Sequence, residues 1–258
     1  TLESCLRQTY SNIEIIVVDD CSTDQTAMAI ENYVATHTGI RFIQNSVNLG
    51  VERNWNLALA SARGSFIKIL CGDDLLSSDC IEKQVEALLK FSDVTLVSCN
   101  RDIIDPQSHI ILSPKRSQFF EPTSLKDGIK KVVRSGTNPI GEPACVLFRR
   151  TDEVFDAKHP YLIDLDFWFK LWRNGKLLIL EESLASFRIH PSSLTSLIGL
   201  NHFYQYKEFI RKISLKHSNE LHTFDKIVSL MNAFILGFFR NIFISNRIWF
   251  LNKKVPVS

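Results

Sequence analysis

The stretch of sequence that decides the fold is residues 14–26, EIIVVDDCSTDQT. It opens with a continuous run of mostly β-branched residues, which is typical of a parallel strand buried on both faces. The run ends in an acidic pair, Asp19 and Asp20. Thr23 and Asp24 are candidate N-caps for a following helix, because short polar side chains bind the free N–H groups of a first turn. The stretch therefore predicts one strand–helix unit of an α/β domain.

The same alternation continues outward from this unit. Further strands are expected at residues 41–43, 65–71 and 94–99, and helices at residues 52–63 and 79–91. The order β-α-β-α-β-α-β predicts a mostly parallel sheet with right-handed crossovers. After residue 100 the pattern is looser. Helices are expected at residues 123–134 and 164–174, strands at residues 144–148, 177–180 and 184–189, and a helical region from residue 199 onward.

Composition limits the class of protein. The 258 residues are 45% hydrophobic and 22% charged, which excludes a disordered chain, a collagen and a small disulfide scaffold. The net charge is only +2, so a nucleic-acid partner is not expected. None of the six cysteines has a CxxC or Cys/His spacing, which argues against zinc. We interpret them as reduced thiols of a cytoplasmic protein.

Two predicted strands end in paired carboxylates, Asp19-Asp20 and Asp73-Asp74. Because ligands of open parallel sheets bind beyond the carboxyl ends of the strands, both pairs should open on one edge. Carboxylate oxygens suit Mg²⁺ or Mn²⁺ there. The alternative is that aspartate simply ends strands and begins turns. A response-regulator receiver is excluded, because the third strand ends in a second acidic pair and the chain is about twice too long.

Five segments, in order, resemble the signature segments of family 2 glycosyltransferases. They are VVDDCSTDQT at 17–26, NLGVERNWN at 48–56, LCGDD at 70–74, IDLDFW at 163–168 and FRIHPSS at 187–193. The resemblance implies the GT-A fold, an α/β fold with a mostly parallel sheet flanked by helices and a helical C-terminal extension. It implies a catalytic domain over residues 1–196, with a nucleotide-binding half (1–100) and an acceptor half (101–196). Residues 197–258 would form the helical C-terminal region.

The resemblance also assigns site residues. It implies that Asp164 is the general base. It implies that Asp74 and His190 ligate the cofactor, Mg²⁺ or Mn²⁺. It implies contacts to the nucleotide sugar from four residues, Asp19, Asp20, Asp73 and Arg188. Two further possibilities stay open. Asp164 could be a helix N-cap only, since Asp is favoured there. Glu142, in a Gly-Glu-Pro turn, could contact the acceptor.

The implied activity is inverting sugar transfer from a nucleoside diphosphate sugar, with a UDP-sugar as the expected donor. The acceptor would be a hydroxyl of a glycan or a lipid-linked glycan, in bacterial surface polysaccharide synthesis. A sugar-phosphate nucleotidyltransferase shares the α/β plan and acidic metal sites. A non-catalytic nucleotide-sugar binding module would keep Asp20 without needing Asp164. Both remain alternatives at this point.

The sequence departs from the family pattern in four places. Cys21 stands in place of a glycine, which is tolerable if the backbone there avoids positive φ. The motif ending in Asp74 carries fewer acids than usual, so we expect fewer protein ligands to the metal. Ile163 stands in place of a glutamate. Residues 1–10 match the helix after the family's first strand, so we expect that strand to precede Thr1. Without that strand, we expect residues 15–18 to have an unpaired edge and the chain to be poorly stable.

The C-terminal region is basic and aromatic. Residues 200–258 hold nine Lys and Arg against three Asp and Glu, and 11 of the chain's 27 aromatic residues. Apolar residues with helical spacing are Ile227, Leu230, Met231, Phe234, Phe238 and Phe239. No apolar run approaches the ~20 residues that span a bilayer. A basic helix with aromatic residues, as expected here, either lies in a membrane interface, at the inner face of the cell membrane, or packs on the expected catalytic domain.

Overall fold

The computed structural model describes residues 1–115, 118–156, 158, 162–190 and 201–237. The helices are α1 (Leu2–Leu6), α2 (Thr26–Thr36), α3 (Val51–Ser61), α4 (Cys80–Lys90), α5 (Leu125–Ser135), α6 (Ile163–Trp172), α7 (Asn201–Lys216) and α8, described over residues 223–237. The strands are β1 (Ile15–Asp19), β2 (Ile40–Gln44), β3 (Phe66–Ile67), β4 (Leu75–Leu76), β5 (Val94–Ile104), β6 (Ile110–Leu112), β7 (Thr123–Ser124), β8 (Leu147–Arg149) and β9 (Lys176–Arg188). A short 3₁₀ turn spans Pro143–Cys145.

The strands form two hydrogen-bonded sheets. β1 and β2 pair in parallel, and the larger sheet has the order β3-β8-β5-β9-β4, with β6 on β5 and β7 on β9. The longest pairing of the larger sheet, β5 with β9, is also parallel. The shorter strands pair antiparallel. The expected α/β fold is therefore confirmed, with its parallel character in the two longest pairings.

One predicted strand is shorter in the structure than expected. The strand expected at residues 65–71 is hydrogen-bonded only over Phe66–Ile67, and the chain beyond it turns toward Asp73 and Asp74. Among the described strands, β3 pairs only with β8, and β1 pairs only with β2. The second edge of β1 has no described partner, as expected for residues 15–18.

A bulge in β9 joins the two strands expected at residues 177–180 and 184–189 into one. Cys99 is opposite Leu180 but Asn100 is opposite Ser183, so the two residues between are extruded. The Asn100 side chain stabilises this bulge by donating to the Glu181 carbonyl at 2.7 Å. A bulge bends and twists its strand. The bend lies between the start of β9, next to β7, and the end of β9, next to β4 and the Asp73–Asp74 loop.

The core lies between the larger sheet and helices α5, α6 and α7. The largest fully buried side chains include Trp168, Trp172 and Phe148. The indole N–H groups of Trp168 and Trp172 donate to the Gly141 and Thr123 carbonyls at 2.9 and 2.7 Å. Both tryptophans are thus core residues whose polar atoms have partners, as buried Trp normally requires.

The C-terminal helices pack on the rest of the α/β domain through one face. On α7, Tyr206, Phe209, Ile210 and Ile213 belong to the main hydrophobic core. Lys212 of the same helix donates to the buried Asp166 at 2.7 Å. The predicted boundary at residue 196 lies outside the described residues.

Helix α8 presents its large apolar side chains outward. Ile227, Met231 and Phe234 are 52%, 58% and 54% exposed, whereas Ser229 and Ala233 are buried. Phe238 and Phe239 lie outside the described residues. Within the described part of the chain, no helix combines the length and the apolar character needed to cross a membrane.

We expect Gly136→Ala to lower the free energy of unfolding by about 2–4 kcal/mol, because it adds left-handed strain and overpacking. Gly136 follows α5 with φ of +71°, and an added Cβ would lie 2.6 Å from the carbonyl carbon of Asn232 in α8. Gly39→Ala is the control, since nothing lies within 4 Å of its Cβ position. Urea denaturation measures both variants. Equal stability of the two would show that α8 does not pack against this turn.

Candidate active site

Asp20 holds the loop after β2 against the end of β1. Its Oδ1 accepts from the Leu49 backbone N–H at 2.8 Å and from the Asn45 side chain at 2.9 Å. Its Oδ2 accepts from the Gly50 N–H at 2.9 Å. Burial raises the pKa of Asp20, but these hydrogen bonds outweigh it, so the pKa lies below its ordinary value. Asp20 is therefore an ionised anchor of the loop at neutral pH.

Asp19 is buried and organises the turn that follows it. Its carboxylate accepts from the Ser22 N–H at 3.1 Å and from the Ser22 hydroxyl, and from the Gln44 side chain at 3.4 Å. Inside this turn Cys21 has φ of +64°. The condition for tolerating a cysteine here is therefore not met. A non-glycine residue in this conformation costs roughly 1–2 kcal/mol.

Asp74 has one buried oxygen without a donor. Its Oδ1 accepts from the Arg188 backbone N–H at 3.1 Å, and its Oδ2 has no hydrogen-bond partner in the described structure. Burial, aided by the charges of Asp73 and Glu142, raises the pKa of Asp74 to about 8. A desolvated carboxylate oxygen of this kind would be stabilised by a bound cation.

Asp73 and His190 complete the acidic loop. His190 Nε2 lies 3.2 Å from Asp73 Oδ2, and the Asp73 side chain is 40% exposed. The described residues contain no group of three or more His, Cys, Asp or Glu arranged to hold a metal. Mg²⁺ and Mn²⁺ sites often take most of their ligands from water and substrate phosphates. The unpartnered Asp74 oxygen, with His190 nearby, fits a cation of that type.

Arg188 ties the Asp73–Asp74 loop to the turn after β5. Its guanidinium donates to the Asp73 carbonyl at 2.8 Å, to the Asp105 carbonyl at 2.7 Å and to the Ser108 hydroxyl at 3.1 Å. All these acceptors are protein oxygens. The described contacts thus give Arg188 a positioning role, and its predicted contact to a diphosphate stays a prediction.

Asp164 lies in the first turn of α6 but does not cap it. The N-cap position is Leu162, and no side chain bonds there. Asp164 Oδ1 accepts from the Leu165 N–H at 2.7 Å, and Oδ2 accepts from the Asn138 side chain at 2.8 Å. Burial, helped by the charge of Glu142, raises the pKa of Asp164 to about 7. A carboxylate balanced between its two protonation states near neutral pH suits a general base.

Two groups beside Asp164 were not predicted from the sequence. Arg101 forms a buried ion pair with Glu142, 2.6 Å between Nε and Oε2, and Asn138 orients Asp164. The predicted strand ended at residue 99, whereas β5 continues to Ile104 and includes Arg101. The only hint in the sequence was a charged residue just after the predicted end of that strand. Asn138 sits in an irregular polar loop, where the sequence offers no pattern.

The predicted site residues fall into two groups. Asp73, Asp74, Arg188 and His190 form one hydrogen-bonded cluster. Asp164 lies near this cluster. Burial raises the pKa of the Cys71 thiol well above its ordinary value, and the charges of Asp73, Asp74 and Asp164 all add to this effect. Asp19 and Asp20 are bonded to the loops beside β1 and β2.

Comparison with solved structures defines the fold class. One match is TarS of S. aureus in complex with UDP, with a TM-score of 0.59 and 19% sequence identity. The match covers 83% of this chain and 66% of TarS 1–349. The mannosyltransferase PcManGT of Pyrobaculum calidifontis, in complex with GDP-Man and Mn²⁺, matches with a TM-score of 0.60 and 15% identity over 99% and 71% of the two chains. The fold is the GT-A fold of nucleotide-sugar glycosyltransferases.

Comparison of sequences then assigns the family. The model of glycosyl transferase family 2 matches residues 1–155, and the chain belongs to this family of glycosyltransferases. An uncharacterized glycosyltransferase of Haemophilus influenzae is 29% identical over 88% of this chain and 70% of its own length. The putative teichuronic acid biosynthesis glycosyltransferase TuaG of Bacillus subtilis is 27% identical over 76% of this chain and 75% of its own length.

Proposed function

We propose that the protein transfers a sugar, with inversion, from a nucleoside diphosphate sugar to a hydroxyl of a glycan or lipid-linked acceptor. The observation that carries this proposal is the state of Asp164, a carboxylate with a pKa of about 7 beside the Asp73–Asp74 loop. A sugar hydroxyl is a poor nucleophile until a base removes its proton as attack proceeds. In-line attack on the anomeric carbon needs one such carboxylate and no covalent intermediate.

Asp164 also separates this function from its alternatives. A non-catalytic nucleotide-sugar module has no need of a carboxylate oriented by Asn138 and held near neutrality. A nucleotidyltransferase is disfavoured by membership of glycosyl transferase family 2. The hydrogen bond from Asn138 points Asp164 Oδ2 at the loop that carries Asn138 and so fixes the carboxylate for proton transfer.

For the donor we propose a UDP-sugar, with Mg²⁺ or Mn²⁺ as cofactor. Similar structures contain UDP, UDP-GlcNAc or GDP-Man with Mn²⁺. Asp74 and His190 would hold the cation, which when bound neutralises charge on the leaving diphosphate. Asp19, Asp20 and Asp73 would contact the nucleotide, through carboxylate lone pairs that the protein donors leave available.

We further propose a role in bacterial surface polysaccharide synthesis, in the cytoplasm at the inner face of the membrane. The similarity to TuaG, named for teichuronic acid biosynthesis, supports the pathway class. The exposed apolar face of α8, formed by Ile227, Met231 and Phe234, supports the location. Apolar side chains on a basic region suit insertion at an anionic interface.

We expect Asp164→Asn to lower the turnover number by roughly 10²-fold or more, the usual worth of general base catalysis. The amide would also place a donor against the Asn138 donor. The double variant Asp164→Asn with Asn138→Asp restores that hydrogen bond without restoring the base at 164. Steady-state kinetics with UDP-sugars measure both variants. Recovery of activity in the double variant would show that Asp164 is structural.

We expect Asp74→Asn to abolish the Mn²⁺-dependent part of the thermal stabilisation by UDP, because the unpartnered oxygen is replaced by a donor. Asp152→Asn, at an exposed site, is the control. Differential scanning fluorimetry with UDP, with GDP and with each plus MnCl₂ makes the measurement. An unchanged Mn²⁺ effect in Asp74→Asn would remove Asp74 from the metal site.

We expect the full chain to sediment with phosphatidylglycerol vesicles at low salt and to be released at high salt, where charge attraction is screened. The triple variant Ile227→Ser, Met231→Ser, Phe234→Ser should lose binding. Leu89→Ser, which alters a leucine on α4 that is 68% exposed, should keep binding. Absence of binding at low salt, or binding by the triple variant, would contradict the membrane location.

A further inference from the structure

A half-buried ion pair lies beside Asp164. Arg101 of β5 and Glu142 are joined at 2.6 Å, and their side chains are only 16% and 21% exposed. A buried ion pair is commonly no more stabilising than apolar residues of the same size. Its position therefore calls for a reason other than stability.

The loop that carries Glu142 is fastened to the helix that carries Asp164. The Asn138 side chain donates both to the Gly141 carbonyl at 2.9 Å and to Asp164 at 2.8 Å. Trp168 of α6 donates to the same Gly141 carbonyl. These bonds hold the Glu142 backbone next to α6, and Arg101 holds its carboxylate from the opposite side.

The charges on α6 itself do not supply a comparable partner. Ile163, which precedes Asp164, is buried and apolar. Asp166, two residues further on, is bound by Lys212 at 2.7 Å and lies 3.6 Å from Lys170. Its charge is thus balanced within α6 and α7.

Further titratable groups in this region come from the loop after β3. Cys71 carries a thiol whose pKa is well above its ordinary value, because of burial and nearby carboxylates, so it is neutral. Asp73 and Asp74 belong to the hydrogen-bonded cluster with Arg188 and His190. Asp73 bonds to His190, and Asp74 accepts from the Arg188 backbone N–H. Glu142 is therefore a carboxylate beside Asp164 that Arg101 holds in place, and the Cys145 thiol also donates to its Oε2 at 3.8 Å.

We propose that Arg101 and Glu142 are positioning residues for the base. Arg101 fixes the Glu142 carboxylate through the 2.6 Å ion pair, and a negative charge held there disfavours ionisation of Asp164. This inference rests on the proposed role of Asp164 as general base. After burial, Glu142 is the leading charge that raises the pKa of Asp164.

The sign of the effect follows from Coulomb's law. A nearby negative charge disfavours a second carboxylate, so removing the charge of Glu142 lowers the pKa of Asp164. Glu142→Gln keeps an acceptor for Arg101 and removes the charge. Glu142→Ala removes both. Both neutral variants should lower the pKa of Asp164 by about half a unit to one unit.

The test is a ¹³C NMR titration of the full chain labelled at aspartate Cγ. Asp164→Asn identifies the Asp164 resonance by its loss. We expect a lower titration midpoint in Glu142→Gln and Glu142→Ala, and a midpoint nearer the wild type in Glu142→Asp, which retains the charge. Glu181→Gln, at an exposed site on β9, should leave the midpoint unchanged.

An unchanged Asp164 midpoint in either folded neutral variant would overturn the proposal. The titration uses no donor, acceptor or metal, so its failure is separate from failure of the proposed function. An active Asp164→Asn enzyme would remove the base role while leaving the titration result valid. A lowered midpoint together with an acid limb of turnover that moves to lower pH in Glu142→Gln would support both.

Discussion

The cost of burying carboxylates governs this site. A carboxylate taken out of water must find donors, a cation or a proton, and the aspartates here meet that requirement differently. Asp20 finds three donors and stays ionised. Asp74 finds one donor for two oxygens, and its pKa rises to about 8. The shortage of donors at Asp74 leaves one oxygen without a partner, and the pKa of Asp164 rises to about 7.

The same constraint explains why the fold needs its irregular features. The bulge at Glu181–Glu182 bends β9 ahead of the segment where the Arg188 N–H reaches Asp74 and His190 reaches Asp73. The positive φ of Cys21 closes the turn that lets the Ser22 N–H and hydroxyl reach Asp19. Bulges and left-handed residues are unfavourable locally, and the β9 bulge and Cys21 both lie beside the site.

The C-terminal region packs against the helix that carries Asp164. Lys212 of α7 binds Asp166 of α6, and Phe209 packs edge-on against Phe169. Helix α6 is thus fixed from one side by α7 and from the other by the loop of Asn138 and Gly141. The family match ends at residue 155, so the proposed base, Asp164, lies in the part of the chain where its assignment depends on geometry.

The sequence by itself determined the α/β class, the strand at residues 15–19, the helix of Asp164 and the order of the family segments, because local periodicity and short motifs need no distant partner. It did not determine the merging of two expected strands into β9, the roles of Arg101 and Asn138, or the outward face of α8. Those features depend on contacts between residues far apart in the chain. In the sequence, Glu142 is only a charged residue in a turn. The structure shows that Arg101 of β5 pairs with it beside Asp164. Ionisation of a buried group depends on its three-dimensional surroundings, and only the tertiary structure supplies them.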